Sequence, residues 1–331
     1  MVCRRRVRRA SSGMLTIPRL RHASVLLAIV AASLLLPAAA TNAQPRTADP
    51  AQRGVPLSAF PRFVKLSPHV YGYEEIRQPG FTTVSLIVIG KDGVLIADGQ
   101  GSPQATQTML DRIRALTPLP IKWYVVGSDH GDHTAGNSVL PAGITYVVHP
   151  TSLAQLKRDS AAATSGRSVV VPPTAMTGNE QTIDVGTTEV IVRFLGRAHT
   201  GGDLMVHLPK EQILFMSEAY LNRVFPAMRS AYPSEWAKTI DAALALKRVK
   251  HFIPGHGFIE NPEVSREELI VFRDAVTSVI GEVSRLKAMG LTQDDAVKRA
   301  NWGPIGGWFL ADQQAPVAVR RVWMEIEGTL K

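Results

Sequence analysis

The sequence of 331 residues holds a single cysteine, Cys3, close to its N-terminal end. No intrachain disulfide can form, so stability must come from packing or bound metal. A metal site has to be assembled from imidazole and carboxylate rather than thiolate. Acidic residues are missing from positions 1–43, which carry seven arginines (4, 5, 6, 8, 9, 19 and 21). Without those arginines the formal charge of +9 falls to +2. No basic stripe interleaved with aromatics remains, so no nucleic-acid partner is expected. No low-complexity block interrupts residues 62–331, and a hydrophobic fraction of 45% is enough to fill a core.

Long apolar runs are scarce as well. The one candidate, "SVLLAIVAASLLLP", is too short for a comfortable membrane span. Arginines precede it in "RRRVRR" and "PRLRHA", and small residues follow in "AAATNAQ". That is the layout of a secretory signal peptide, with cleavage expected after Ala43. The sequence therefore predicts an exported protein, periplasmic or secreted, with no stable membrane span once residues 1–43 are removed. Residues 44–61 are expected to be a flexible N-terminal segment, and residues 62–331 a single domain.

Within that domain the pattern is strands first and helices after, twice over. "HVYGYEEI", "TTVSLIVIG" and "VLIADG" read as strands. Ser102 followed by Pro103 starts a helix whose apolar face carries Met109, Ile113 and Leu116. "IKWYVVG" is the next strand. The second half has strands at "EVIVRFLG", "DLMVHLP" and "QILFMSE", a helix at "PSEWAKTIDAALALKRV", and a short buried strand in "HFIPGHG". A capping box "SREE" at Ser265 predicts a helix ending at Gly290, and a last helix is expected from about Gln314. The sum is an α/β fold, a four-layer αββα sandwich.

Chemistry concentrates just beyond "IKWYVVG", in "GSDHGDHTAGN". His130, Asp132 and His133 are ligand types for zinc or another borderline metal, on a loop where Gly131 permits a sharp turn. Taken alone, the triplet also suits a polar loop with solvated histidines. Three later residues, His199 in "GRAHTGGD", Glu218 in "ILFMSE" and His256 in "IPGHG", each follow an apolar run or sit in a glycine-rich turn. Each could project into the same rim.

In this order, with these flanking glycines, the set resembles the metallo-β-lactamase fold superfamily of hydrolases. The family pattern is His-x-His-x-Asp-His after a strand, a glycine-rich His-Thr turn, an Asp closing a strand, and a late Gly-His. "SDHGDH", "AHTGG", "SE" and "PGHG" stand in the same order across roughly residues 70–258. The resemblance implies that His130 and His199 hold one metal, Asp132, His133 and His256 another, with Glu218 bridging or between them. It implies that Asp98 supports the site from behind. Ser128 stands where the family's first histidine belongs, and Glu218 replaces an aspartate.

The resemblance further implies metal-dependent hydrolysis of a small electrophile, such as an ester, lactone, thioester or β-lactam. Zinc is expected, as one or two ions, and iron also suits the ligands. Asp132 would orient the attacking water or act as its base, and Ser128 would hydrogen-bond water or substrate. A competing reading is a non-catalytic exported binding protein with a degraded metal site, motivated by Ser128 and Glu218. "YLNRVFPAMRSAYP" is expected to form a substrate wall, and "NWGPIGGWF" to pack into the core. His69, His149, His207 and His251 are expected to be structural or surface residues.

Overall fold

Largely buried apolar strands build two sheets in the computed structural model, which describes residues 45–77, 79–163 and 169–330. The expected signal peptide lies outside the described residues. The first sheet runs β1 (Arg62–Ser67), β2 (Val70–Arg77), β3 (Phe81–Ile89), β4 (Val94–Ala97), β5 (Ile121–Val125) and β6 (Thr145–Val147), in that spatial order. It is antiparallel as far as β4, and parallel from β4 to β6. Helix α1 (Pro103–Leu116) joins β4 to β5, the short α2 (Gly131–Thr134) follows β5, and α3 (Pro150–Ala161) follows β6.

The second sheet contains β7 (Glu180–Asp184), β8 (Glu189–Arg193), β9 (Met205–Leu208), β10 (Ile213–Phe215) and β11 (His251–Ile253), ordered β11-β10-β9-β8-β7. Only the β10–β11 pair is parallel, as a connection through α4 (Pro233–Ala245) requires. Helices α5 (Pro262–Ala288), α6 (Gln293–Arg299) and α7 (Ala311–Ile326) complete the chain.

Strand periodicity divides the apolar side chains among three cores. Val84, Leu86 and Val88 of β3 face Val206, Leu208 and Phe215 between the sheets. Ile87 and Ile96 point the other way, onto Met109 and Ile113 of α1 and Leu156 of α3. On the far side of the second sheet, Leu214 and Phe252 meet Trp236 of α4, Phe272 of α5 and Val319 of α7. Helix, sheet, sheet and helix therefore stack as four layers, the expected αββα arrangement. Truncating an inter-sheet residue such as Leu86 to Ala would cost about 2–5 kcal/mol.

Several local expectations change. The segment before β1 makes contacts with the domain: Ala48 is fully buried, Arg46 bonds Glu268 at 2.8 Å, and Arg53 pairs with Glu260. The capping box at Ser265 does not form. The longest helix starts at Pro262 after Asn261, and the Ser265 hydroxyl accepts the Phe252 N–H at 3.2 Å, tying α5 to β11. Ser102 does cap α1, accepting the Ala105 N–H, but Leu116 is 41% exposed because the helix ends there. Helix α7 begins three residues before Gln314.

Candidate metal centre

The parallel pairs bring several strand ends to one rim. Ala97 lies beside Val125, and Phe215 beside both Ile253 and Val206 near the start of the oppositely directed β9. Asp98, Ser128 to His133, His199, Glu218 and His256 all lie just outside these ends. Close approach of the two sheets there demands glycine. A Cβ on Gly127 would sit 2.7 Å from Ser217 Cβ, and one on Gly255 would sit 2.4 Å from the Ser217 carbonyl carbon. Gly131, by contrast, is an ordinary first residue of α2, so the turn that presents His130, Asp132 and His133 is made by the helix start.

Six side chains converge in two groups that share one carboxylate. Asp132, His133, Glu218 and His256 form the first, and His130, His199 and Glu218 the second, with ligand atoms within 4.8 Å of one another in each. In the first, His256 Nε2 lies 3.2 Å from His133 Nε2, 3.0 Å from Asp132 Oδ2 and 3.2 Å from Glu218 Oε1. In the second, His199 Nε2 lies 3.1 Å from His130 Nδ1 and 3.1 Å from Glu218 Oε1, and His130 Nδ1 lies 2.9 Å from Glu218 Oε2.

Contacts behind these rings decide which nitrogen faces inward. The Thr82 carbonyl accepts from His256 Nδ1 at 2.9 Å, leaving Nε2 as a lone-pair donor to the centre. Nδ1 of His133 faces Asp98 Oδ2 at 3.1 Å, off the best N–H alignment, and His130 Nε2 meets the Ser230 hydroxyl at 3.2 Å. Asp98 also accepts the Gly127 and Ser128 N–H groups and the Ser217 hydroxyl. The turn carrying His199 is held by Asp203, whose carboxylate accepts the Thr200 N–H and hydroxyl, each at 2.7 Å.

Electrostatics favour a cation here. Burial opposes a charged His133, but Asp98 and then Glu218 outweigh it and hold the ring at about 10. Burial likewise opposes a charged His130, yet Glu218 raises it to about 9. For Glu218 burial pushes upward, and His199, His130 and His133 reverse it to well below the usual range. Such mutual attraction means that the three carboxylates, Asp98, Asp132 and Glu218, create a field that positive charge must answer.

The donor set fits a divalent metal. Without a cation, His133 and His256 turn their Nε2 atoms to each other at 3.2 Å, a contact that needs a proton on one of them, and a metal ion can take that proton's place. Two ligands of one tetrahedral zinc, each about 2.0–2.1 Å from it, are themselves about 3.3 Å apart.

A cleft of about 250 Å³ opens over the centre, walled by Phe81, Leu221, Val224, Leu310 and Val317, with Arg77 and Arg229 at its polar side. A wider cavity of about 630 Å³ adjoins it past His130 and shares Arg229. The expected substrate wall is thus only partly right. Phe225 and Met228 are buried in the helical core, Arg223 forms a double hydrogen bond with Glu268, and it is their neighbours that line the cleft. "NWGPIGGWF" packs as expected, with Trp302, Trp308 and Phe309 against the core and Phe309 on Phe81 at 5.3 Å.

Among the contributors not anticipated are Arg77 and the α7 residues Gln314 and Val317 in the cleft, and Asp203 in the His199 turn. Asp203 was legible in principle, four residues after His199 in the same turn. Arg77 and α7 are placed by the tertiary fold alone. Of the other histidines, His149 caps α3 by accepting the Thr151 N–H, while His207 and His251 bond the carbonyls of Arg248 and Glu260.

No family model matches the sequence. Among solved structures, the stereoselective inverting sec-alkylsulfatase Pisa1 from Pseudomonas sp. is similar over 80% of this chain, with TM-score 0.61 and 16% identity. This chain spans only 50% of that protein's length. A metallo-beta-lactamase from Pontibacter korlensis matches 65% of this chain and 98% of its own, with TM-score 0.56 and 20% identity. The DIM-1 metallo-beta-lactamase matches 64% and 96%, with TM-score 0.54 and 23% identity. At such identities the likeness shows the fold: this chain has the metallo-β-lactamase fold.

Proposed function

With that fold as the premise, we propose that the protein is an exported metal-dependent hydrolase acting on a small electrophile such as an ester, lactone, thioester or β-lactam. The observation that carries the reading is the convergence of four imidazoles and two carboxylates, all but His133 lining a partly apolar cleft. Asp132, His133 and His256 would hold one cation, His130 and His199 another, with Glu218 reaching both. A divalent ion, zinc by this donor set or iron as a second option, would supply Lewis acidity that polarises the electrophile and acidifies water beside it.

The chain's own residues do the remaining work. Asp132 stands at the cleft floor, where its carboxylate can orient water or take its proton. The apolar walls, Leu310 and Val317 among them, exclude bulk water and seat the apolar part of the substrate. Arg229 lines both cavities, where its guanidinium can meet an anionic group.

Elemental analysis and a hydrolysis panel of the four substrate classes test this. At least one transition metal per chain, with turnover lost to a chelator and restored by zinc, is expected. Less than one metal per chain, with folding indifferent to chelation, overturns the reading. Metal binding without turnover across the panel would leave the non-catalytic binding role.

A further inference from the structure

Ser128 is fully buried, and its hydroxyl donates to Glu218 Oε2 at 2.5 Å while accepting the His130 N–H at 3.3 Å. Glu218 has three rotatable side-chain bonds, yet it must place one oxygen beside His130 and the other beside His199 and His256 at once. Four imidazoles surround the carboxylate, the nearest being His130, whose Nδ1 lies 2.9 Å from Oε2. Ser128, just beyond the strand end of β5, makes a shorter contact to that same oxygen, a charge-assisted bond at 2.5 Å. That strand end is itself pinned through the Ser128 and Gly127 N–H groups to Asp98.

We infer that Ser128 and Glu218 act as one unit: the serine is a positioning residue that orients the long carboxylate so that it serves both cation positions. The inference rests on the metal-centre reading. It gives Ser128 a task different from contact with water or substrate, and makes the length of Glu218 a requirement. Shortening the side chain by one methylene withdraws the carboxylate by about 1.5 Å, one C–C bond. The contact at 2.5 Å is then broken, leaving a buried hydroxyl without its acceptor. The serine therefore has value only while residue 218 is Glu.

A double-mutant cycle tests the coupling. Apo forms of the full chain, Ser128→Ala, Glu218→Asp and the double variant are titrated with zinc(II) and with cobalt(II) alone, reading affinity, stoichiometry and the cobalt visible spectrum. Removing the positioning partner of a ligand costs about 10–100-fold in metal affinity, and Ser128→Ala should show that loss with an altered cobalt spectrum. In the Glu218→Asp background the same substitution should change affinity by less than about threefold, within the scatter of uncoupled sites.

An equal loss in both backgrounds overturns the inference. So does an unchanged affinity in Ser128→Ala. Thermal unfolding of the apo proteins separates a merely structural serine, whose removal lowers the midpoint but leaves cobalt binding intact, and that outcome also refutes positioning. If the wild-type chain binds neither ion, the metal-centre reading itself fails, which the first titration shows before any variant is made. Should Glu218→Asp not fold, the single Ser128→Ala comparison of cobalt spectrum against apo midpoint still decides.

Discussion

Arg77 Nη1 lies 2.9 Å from Asp132 Oδ2, the oxygen that also faces His256. A guanidinium from the end of β2 thus shares a carboxylate with the metal centre. Arg77 also lies over the Phe81 ring, 5.2 Å from its centroid, which limits its rotamers. Replacing Arg77 with Ala should lower kcat/KM by about 10–100-fold, the usual effect of removing a ligand's outer partner. The pair is partly exposed, so the unfolding midpoint should move little. Equal losses of midpoint and activity would assign the pair to stability instead.

Metal should stabilise the fold. At about 100-fold excess over its Kd, a ligand that binds only the native state adds about 2.7 kcal/mol. For a chain of this size that raises the midpoint by on the order of 5 °C or more. Differential scanning fluorimetry of apo protein with and without zinc measures it. His256→Ala and His199→Ala should each reduce the gain.

Asp98 offers a sharper probe of orientation. It has φ of +63°, a conformation Asp tolerates better than most residues, and it gathers Gly127, Ser128, Ser217 and His133. Asp98→Ala leaves several buried donors unsatisfied, at about 1–3 kcal/mol each. Asp98→Asn keeps the shape but weakens the hold on His133, so it should fold and bind zinc about 10–100-fold less tightly. Isothermal titration calorimetry of the Asn variant is the check.

Acid sensitivity should trace in part to Glu268. Burial pushes this carboxyl upward, but Arg223 and then Arg46 outweigh it and hold it below the usual range. A folded-state pKa below the unfolded one means the pairing stabilises fully above about pH 4.3 and is lost as pH falls through the folded value. Glu268→Gln should therefore flatten the fall in stability on acidification below that pH. At neutral pH, Glu268→Ala should cost roughly 3 kcal/mol by stranding Arg223. Urea melts at stepped pH report both.

Arg229 should govern charge preference. Arg229→Ala is expected to raise KM about tenfold for a carboxylate-bearing ester while leaving a neutral ester unchanged, because the side chain meets only the anionic group. A uniform effect on both esters would remove Arg229 from recognition.

Most strands and the principal helices were legible because short apolar, β-branched runs between turn signals mark buried strands, and apolar residues every three to four positions mark helices. "TTVSLIVIG" and "EVIVRFLG" are of this kind, as are Met109 and Ile113. β1, β6, β7, α3 and α6 were not anticipated. They are short or amphipathic only in part, and partner strands or neighbouring helices decide their state. Ser265 misled because a capping box is a pattern within one turn, whereas its hydroxyl is claimed by Phe252 of β11, 13 residues earlier.

The sequence by itself determined the ligand types, since one cysteine leaves only imidazole and carboxylate, and it determined their order along the chain. Its periodicities likewise determined the layered α/β plan. Only the tertiary structure decided that Glu218 lies within reach of four histidines and of Ser128, that Arg77 reaches Asp132, and that α7 walls the cleft. The reason is physical: hydrophobic periodicity is written in neighbouring residues. The meeting of side chains such as Ser128 and Glu218, 90 positions apart, depends on where strand ends fall when two sheets close on each other.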